Sequence, residues 1–382
     1  MGANGRKRWI WQQPGWPRFA WDMAALAGPL SQARRAQGEL AGLYALLDSQ
    51  QDLTATQVEV LTIEGLTTSA IEGEALEPNV LRSSIARRLG LPVAGLPSAP
   101  RAVEGLAEVL LDATQHYEQE LTLRRLCAWQ AALFPTGRSG LHEIRVGDLR
   151  GDDPMRIVSG PVGNERIHYE APPRDRLEAE MRDFLEWFNH PPPDLDGLIR
   201  AGIAHVWFEI LHPFEDGNGR VGRALLDMAL AQDERHSIRF YSLSSRFNEQ
   251  RDEYYAALER TSSGGLDITP WLEWFLRQLE VAIRSSKGTV AKVLTKARFW
   301  MRHAQTELNE RQRKALNRIL EAGPEGFDGG MTNRKYANLT RASPATAQRD
   351  LADLVAKGYL VASGRGRSVR YQLVLPQSPV QL

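Results

Sequence analysis

The sequence predicts a mainly α protein: helical bundles interrupted by one β-hairpin, with a helix–helix–helix–hairpin module at the C-terminal end. Three observations predict it. Apolar residues recur at helical spacing along most of the 382 residues. Strand-like segments are confined to short stretches near 156–169 and 359–373. Proline and glycine clusters fall between the periodic segments and divide the chain into blocks, on a length sufficient for two or three domains.

The first block, residues 1–95, opens on an aromatic segment at 9–21 and continues with helix-like stretches around 25–48 and 55–70. It closes at Leu91-Pro92-Val93-Ala94-Gly95-Leu96-Pro97-Ser98-Ala99-Pro100, which reads as a linker. In the second block, residues 101–285, Leu177, Met181, Phe184, Leu185 and Phe188 share one helical face. Residues 198–211 are apolar nearly all round, as expected of a helix at the centre of a bundle. Segments 156–159 and 166–169 flank a glycine-rich turn and read as a hairpin. In the third block, residues 300–382, Asn309 with Gln312 resembles a capping box. Thr332 is a second candidate cap, and Ser343-Pro344 supplies an N-cap and a first helical residue. Ala347, Leu351, Leu354 and Val355 form the buried stripe of that helix, Gly358 ends it, and two strands close around Gly364-Arg365-Gly366-Arg367.

Composition is that of an ordinary soluble protein, with 47 basic residues balancing 47 acidic ones. No global charge draws the chain to nucleic acid or to an anionic membrane, although residues 301–382 carry 13 lysines and arginines against 7 acids. The single cysteine, Cys127, excludes an intrachain disulfide and a cysteine-based zinc site, and its apolar neighbours suggest a buried, inert thiol. The sequence shows no signal peptide, no myristoylation pattern and no apolar run of the ~18 residues that a bilayer span needs. The expected location is the cytoplasm, without membrane contact.

The chemistry concentrates in His212-Pro213-Phe214-Glu215-Asp216-Gly217-Asn218-Gly219-Arg220, with Arg223 close behind. A histidine emerging where a buried helix stops is a proton acceptor at a cavity mouth, and an imidazole of ordinary pKa, about 6.5, is largely neutral at pH 7. Asp216 offers hard oxygen to Mg²⁺. Gly217 and Gly219 permit backbone N–H groups to converge ahead of a helix N-terminus, which favours bound phosphate. Arg220 and Arg223 share a helical face as a clamp on phosphates. His205 and Glu209 lie on the same helical face as His212 and suggest a metal site, against which stand ready packing roles on an apolar helix.

Order and spacing fit H-x-F-x-(D/E)-G-N-G-R-x-x-R at every fixed position, so the chain resembles the Fic family of AMP-transferring enzymes. The resemblance implies a Fic-type helical bundle with a β-hairpin flap. It also implies transfer of AMP from ATP to a Ser, Thr or Tyr hydroxyl of a target protein, the chain itself included, with release of pyrophosphate. Carried over by position, His212 is the base, Phe214 a packing anchor of the nucleotide site and Asp216 the ligand of Mg²⁺ (or Mn²⁺). Gly217, Asn218, Gly219 and Arg220 form the anion hole, Arg220 on the β-phosphate side, and Arg223 meets the γ-phosphate. Glycine at 219, where related phosphate-transferring toxins carry lysine, favours AMP transfer. Asn248 and the pair Tyr254-Tyr255 resemble ribose and adenine contacts, Tyr255 being the expected one. The hairpin at 156–169 falls where the family places a flap that aligns its target by strand addition. Gln130 departs from the histidine often found there.

Thr68, Glu72 and Gly73 satisfy the family's inhibitory pattern, (S/T)-x-x-x-E-(G/N), which implies a carboxylate paired with Arg223 in place of the γ-phosphate. The third block has the order of a winged helix-turn-helix, with Thr346, Gln348, Arg349, Arg365, Arg367 and Arg370 as candidate DNA contacts. In the family this module often meets protein instead, and a homodimer is a further expected partner. The alternative function is a DNA-binding regulator whose Fic domain only senses nucleotide; an intact His212 argues for the enzyme, since a sensor needs no general base.

Overall fold

The structure, a computed structural model, describes residues 9–44, 50–91, 99–160, 166–302, 308–321, 330–365 and 369–374. The chain divides into two units, Met1–Leu46 with Gln57–Ser286 and Leu47–Thr56 with Lys287–Leu382. Its class is mainly α, as the sequence predicts. The elements before the flap are α1 (Met23–Tyr44), α2 (Gln50–Ile71), α3 (Pro78–Arg88), α4 (Arg101–Gln115), α5 (Leu123–Leu133), β1 (Arg138–Ser139) and β2 (His142–Glu143). Next come β3 (Arg156–Ser159), β4 (Arg166–Glu170), α6 (Arg174–Asn189), α7 (Gly197–Leu211), α8 (Asn218–Glu234), α9 (Leu243–Glu249), α10 (Arg251–Ser262) and α11 (Thr269–Arg302). The chain closes with α12 (Glu310–Glu321), α13 (Asn333–Thr340), α14 (Pro344–Ala356), β5 (Leu360–Ser363) and β6 (Arg370–Leu373). The strands pair as three antiparallel hairpins. Residues 92–98 of the expected linker, 161–165 at the flap tip and 366–368 in the C-terminal hairpin lie outside the described residues.

The first unit is built around α7. Its residues 198–211 are all buried except Glu209, which is half-buried; most are apolar or small, and buried Arg200 and His205 are hydrogen-bonded to neighbouring elements. Asp196 starts the helix by accepting from Leu198 N at 2.8 Å. Arg34 of α1 pairs with Asp196 at 2.9 Å and with Asp233 near the end of α8 at 2.6 Å, pinning α1 across both helices. Glycine lets helices approach closely: at Gly105 of α4 a Cβ would lie 1.8 Å from the Ala132 carbonyl oxygen of α5. The aromatic segment at the start of the chain packs onto the helices of the second block. Trp11 Nε1 donates to Glu170 O at 2.7 Å, Trp16 Nε1 donates to Glu180 Oε2 at 2.7 Å, and the Trp16 and Phe19 rings meet Trp207 edge-on.

The second unit has its own core, including Phe299, Leu316, Ile319, Tyr336, Leu351, Leu354 and Tyr359. Its caps are local and were readable. Asn309 N donates to Gln312 Oε1 at 3.0 Å while Gln312 N donates to Asn309 Oδ1 at 2.9 Å. Ser343 accepts from Thr346 N at 3.2 Å, with Pro344 at the first helical position. Asp350 joins three helices, accepting from Asn309 and Arg311 of the α12 start at 3.1 and 2.8 Å and from Tyr336 of α13 at 3.0 Å. Met331 forms a bridge with Tyr371 beside β5 and β6.

Candidate active site

α7 stops because His212 turns left-handed, φ 46° and ψ 59°, while its N–H still donates to Phe208 O at 3.0 Å. A non-glycine residue held there costs on the order of 1 kcal/mol and must be fixed by its surroundings. Arg150, fully buried, supplies the fixing: Nε donates to His212 O at 2.9 Å and its backbone N–H to Pro213 O at 2.9 Å. Asn218 closes the loop, accepting from Phe214 N at 2.9 Å and donating to Phe214 O at 2.8 Å. Its side chain is thereby spent on structure. Gly217 caps α8 at φ +88°, where a Cβ would come within 2.7 Å of the Phe134 ring. Phe214 is fully buried beneath the turn.

His205 within α7 and His212 at its C-cap are both held neutral but differ in their free nitrogens. His205 is buried at the centre of an aromatic stack with Phe247, Tyr254 and Trp271. Nδ1–H donates to Gly222 O at 3.0 Å and Nε2 accepts from Tyr254 Oη at 2.8 Å, so neither nitrogen is left for a metal. Burial lowers its pKa to about 3. His212 is half-buried, and Nδ1–H donates to Glu209 O at 3.3 Å, which leaves Nε2 as an acceptor. Surrounding protein lowers its pKa to about 4, so it is neutral at pH 7 by a wide margin. Glu209 moves the other way: burial raises its pKa to about 7, and its Oε1 is buried without a hydrogen-bond partner.

A cavity of about 630 Å³ opens beside this turn, walled by β3, β4 and α10. His212, Asp216, Gly217, Asn218, Gly219, Arg223, Tyr255 and Glu72 line it. Phe214, Arg220 and Asn248 do not: Phe214 is core, Arg220 stacks over Phe134 at 4.9 Å, and Asn248 is half-buried near the end of α9. Tyr254 is a core residue on His205, whereas Tyr255 is partly exposed and its Oη donates to Ile71 O at 3.3 Å. Asp216 accepts from Gly217 N at 2.5 Å and from the Ser139 hydroxyl. Gln130 Nε2 donates to Arg145 O at 3.2 Å and to Asp216 O at 3.4 Å, bracing the loop from a position that looked peripheral in the sequence.

Both motif arginines are met by carboxylates from the end of α2. Arg223 is buried; Nε donates to Thr68 Oγ1 at 2.7 Å and Nη2 to Thr68 O at 3.0 Å and Glu72 Oε1 at 2.7 Å. Burial alone would raise the Glu72 pKa, but the charge and hydrogen bond of Arg223 outweigh it and hold the carboxyl below its ordinary range. Gly219 makes room, since a Cβ there would lie 2.3 Å from Glu72 Oε1. Gly73, at φ +82°, lets the chain turn away from α2. Arg220 Nη1 donates to Glu74 Oε2 at 3.0 Å, a contact that sequence reasoning missed although the run Glu72-Gly73-Glu74 carried its signal. Among the described residues no group of three or more His, Cys, Asp or Glu is placed to hold a metal. Asp216 offers one carboxylate at the cavity wall, a donor set suited to a cation that arrives with phosphates.

Residues 120–230 match the model of the Fic/DOC family. That segment is a Fic/DOC domain. Residues 9–91, ahead of the Fic/DOC domain, match a second model, described as a domain of unknown function, DUF4172. Protein adenylyltransferase fic-1 of Caenorhabditis elegans is 30% identical over 151 residues, 39% of this chain and 28% of the relative. A uridine 5'-monophosphate transferase of Xanthomonas campestris is 30% identical over 126 residues, 31% of this chain and 22% of the relative. The chain thus spans less than a third of the length of these curated relatives. A Fic family protein from Desulfovibrio desulfuricans shares the fold at TM-score 0.55 and 19% identity, over 97% of this chain and 100% of its own. No helix among the described residues is long and apolar enough to cross a membrane.

Proposed function

We propose that this Fic protein transfers AMP from ATP to a hydroxyl of a target protein and that the end of α2 restrains it. The observation that carries the reading is that a neutral His212 with an available Nε2 shares one cavity with Asp216, the N-terminus of α8 and Arg223. The target hydroxyl attacks the α-phosphorus, its proton passes to His212 Nε2, and pyrophosphate leaves with the electrons of the broken P–O bond. The α8 N-terminus and Arg223 receive the phosphates, joined by Arg220 once it leaves Glu74. Asp216 would hold Mg²⁺, which supplies charge neutralisation along the phosphates when bound. Glu72 competes with the γ-phosphate for Arg223 and thereby misplaces the α-phosphate. The flap at β3 and β4 registers the target's backbone, with Ile157, Val158 and Ile167 exposed along it.

The name of the C. elegans relative supports AMP as the transferred group, and that of the X. campestris relative makes UMP the competing one. Incubation with α-labelled ATP or UTP and Mg²⁺ decides between them. Glu72→Gly is expected to raise transfer from ATP strongly, and His212→Ala to lower it by roughly 10²–10⁴-fold in that background. Preference for UTP replaces the nucleotide assignment; no transfer from either by Glu72→Gly sinks the reading. We also read the C-terminal helices and hairpin as a winged helix whose partner is DNA or protein.

A further inference from the structure

A serine, a histidine and a glutamate stand in line on the flap side of the cavity, unused by the reaction above. Along the hairpin Ser159 faces Arg166 and Val158 faces Ile167, but Ile157 then faces Tyr169, so His168 is the extra residue of a bulge. Bulges re-aim side chains. Here His168 Nε2 lies 2.6 Å from Ser159 Oγ, and Nδ1 lies 3.1 Å from Glu259 Oε2 on α10. Glu259 also stands 3.7 Å from Arg166. A carboxylate can only accept, so it holds the proton on Nδ1 and leaves Nε2 to receive the serine hydroxyl. That is the order of nucleophile, base and orienting acid. All three residues line the cavity that holds His212, Asp216 and Arg223.

The other hydroxyls of this wall are committed. Tyr169 donates to Ile210 O at 2.7 Å, Ser262 to Glu259 O at 3.1 Å and Tyr255 to Ile71 O at 3.3 Å, while Tyr254 is buried on His205. Among the described residues lining the cavity, Ser159 alone joins an exposed hydroxyl to an imidazole.

We propose that Ser159 is an internal acceptor of the nucleotidyl group, with His168 as its own base and Glu259 as the positioning residue. The inference rests on the transferase reading and names one of its substrates. Ser159 Oγ attacks the α-phosphorus of ATP, and the Oγ–P bond forms as the bond to the bridging oxygen breaks. Pyrophosphate carries away that electron pair. The hydroxyl proton moves to His168 Nε2, and the resulting imidazolium is stabilised by Glu259. The product is a serine–AMP phosphodiester at the end of β3.

The test uses the full chain carrying Glu72→Gly, α-labelled ATP and Mg²⁺, followed by digestion and mass mapping. Ser159 is expected to gain one adenylyl group. Ser159→Ala removes that label, and His168→Gln, which keeps a hydrogen-bonding amide but no basic nitrogen, slows Ser159 labelling by roughly 10²-fold. Glu259→Ala slows it also, whereas Glu259→Gln, which still offers Nδ1–H an oxygen, restores most of the rate. AMP found only on other residues overturns the inference and leaves the transferase standing, and undiminished Ser159 labelling in His168→Gln overturns the role of His168. No adenylyl group on any residue, with no pyrophosphate released, removes the transferase reading as well.

Discussion

Arg220 and Arg223 lie one helical turn apart, and each meets a carboxylate from the same three-residue run, Glu74 and Glu72. The pairs are not equivalent. Arg223 and its partner are held within the cavity wall with Thr68, whereas Glu74 is half exposed, where water and salt weaken an ion pair. In the Glu72→Gly background, Glu74→Ala is therefore expected to add a further rise of only a few-fold in initial transfer rate; an unchanged rate assigns no restraint to that pair. At this scale the sequence was most legible where chemistry is contiguous: His212, Asp216, Gly217, Gly219 and Arg223 lie within twelve residues and meet in one cavity. Arg150, Ser139 and Gln130 were not legible as parts of the site, because each reaches the motif from more than 60 positions away and nothing local marks the contact. Asn248, expected from positional resemblance, stands half-buried near the end of α9 and is not among the residues lining the cavity.

In the proposed function α2 supplies the restraint, and its placement depends on contacts one turn before Thr68. Glu64, buried one turn before Thr68, accepts from Ser242 Oγ at 2.7 Å and Ser244 N at 3.2 Å at the start of α9. A charge-assisted contact of this kind is worth roughly 1.5–3 kcal/mol, so Glu64→Ala should loosen α2 without touching the cavity. The expected result is a basal transfer rate between that of the unaltered protein and Glu72→Gly, and a rate equal to the unaltered protein means that α2 is held elsewhere. Helix ends were readable because caps are local, as at Asn309, Thr332 and Ser343. Close helix approaches were not, since Gly105 against the Ala132 carbonyl depends on which helices become neighbours.

Over the whole molecule, acid stability depends on histidines that fold without their proton. His205 titrates at about 6.5 when unfolded and at about 3 when folded, so its contribution is intact above the unfolded value and is lost as pH falls toward the folded one. Between pH 7 and pH 5 that loss is about 2 kcal/mol. Urea unfolding at the two pH values should show the unaltered protein losing about 2 kcal/mol more than His205→Gln; equal losses mean that His205 is not what titrates. Charge at this scale hides a contrast, since residues 301–382 are basic within a neutral chain. If DNA is the partner, the full chain will shift duplex DNA at low salt and release it as salt rises. The absence of a shift at low salt removes that partner.

Gly219 has a consequence for inheritance. The same bare Cα gives Glu72 its seat and lies where the phosphates are to be received. A β-carbon there presses on Glu72 Oε1 and Arg223 Nη1 together. A substitution at this position therefore disturbs the proposed restraint and the proposed phosphate site in one step, so the first is not lost without damage to the second.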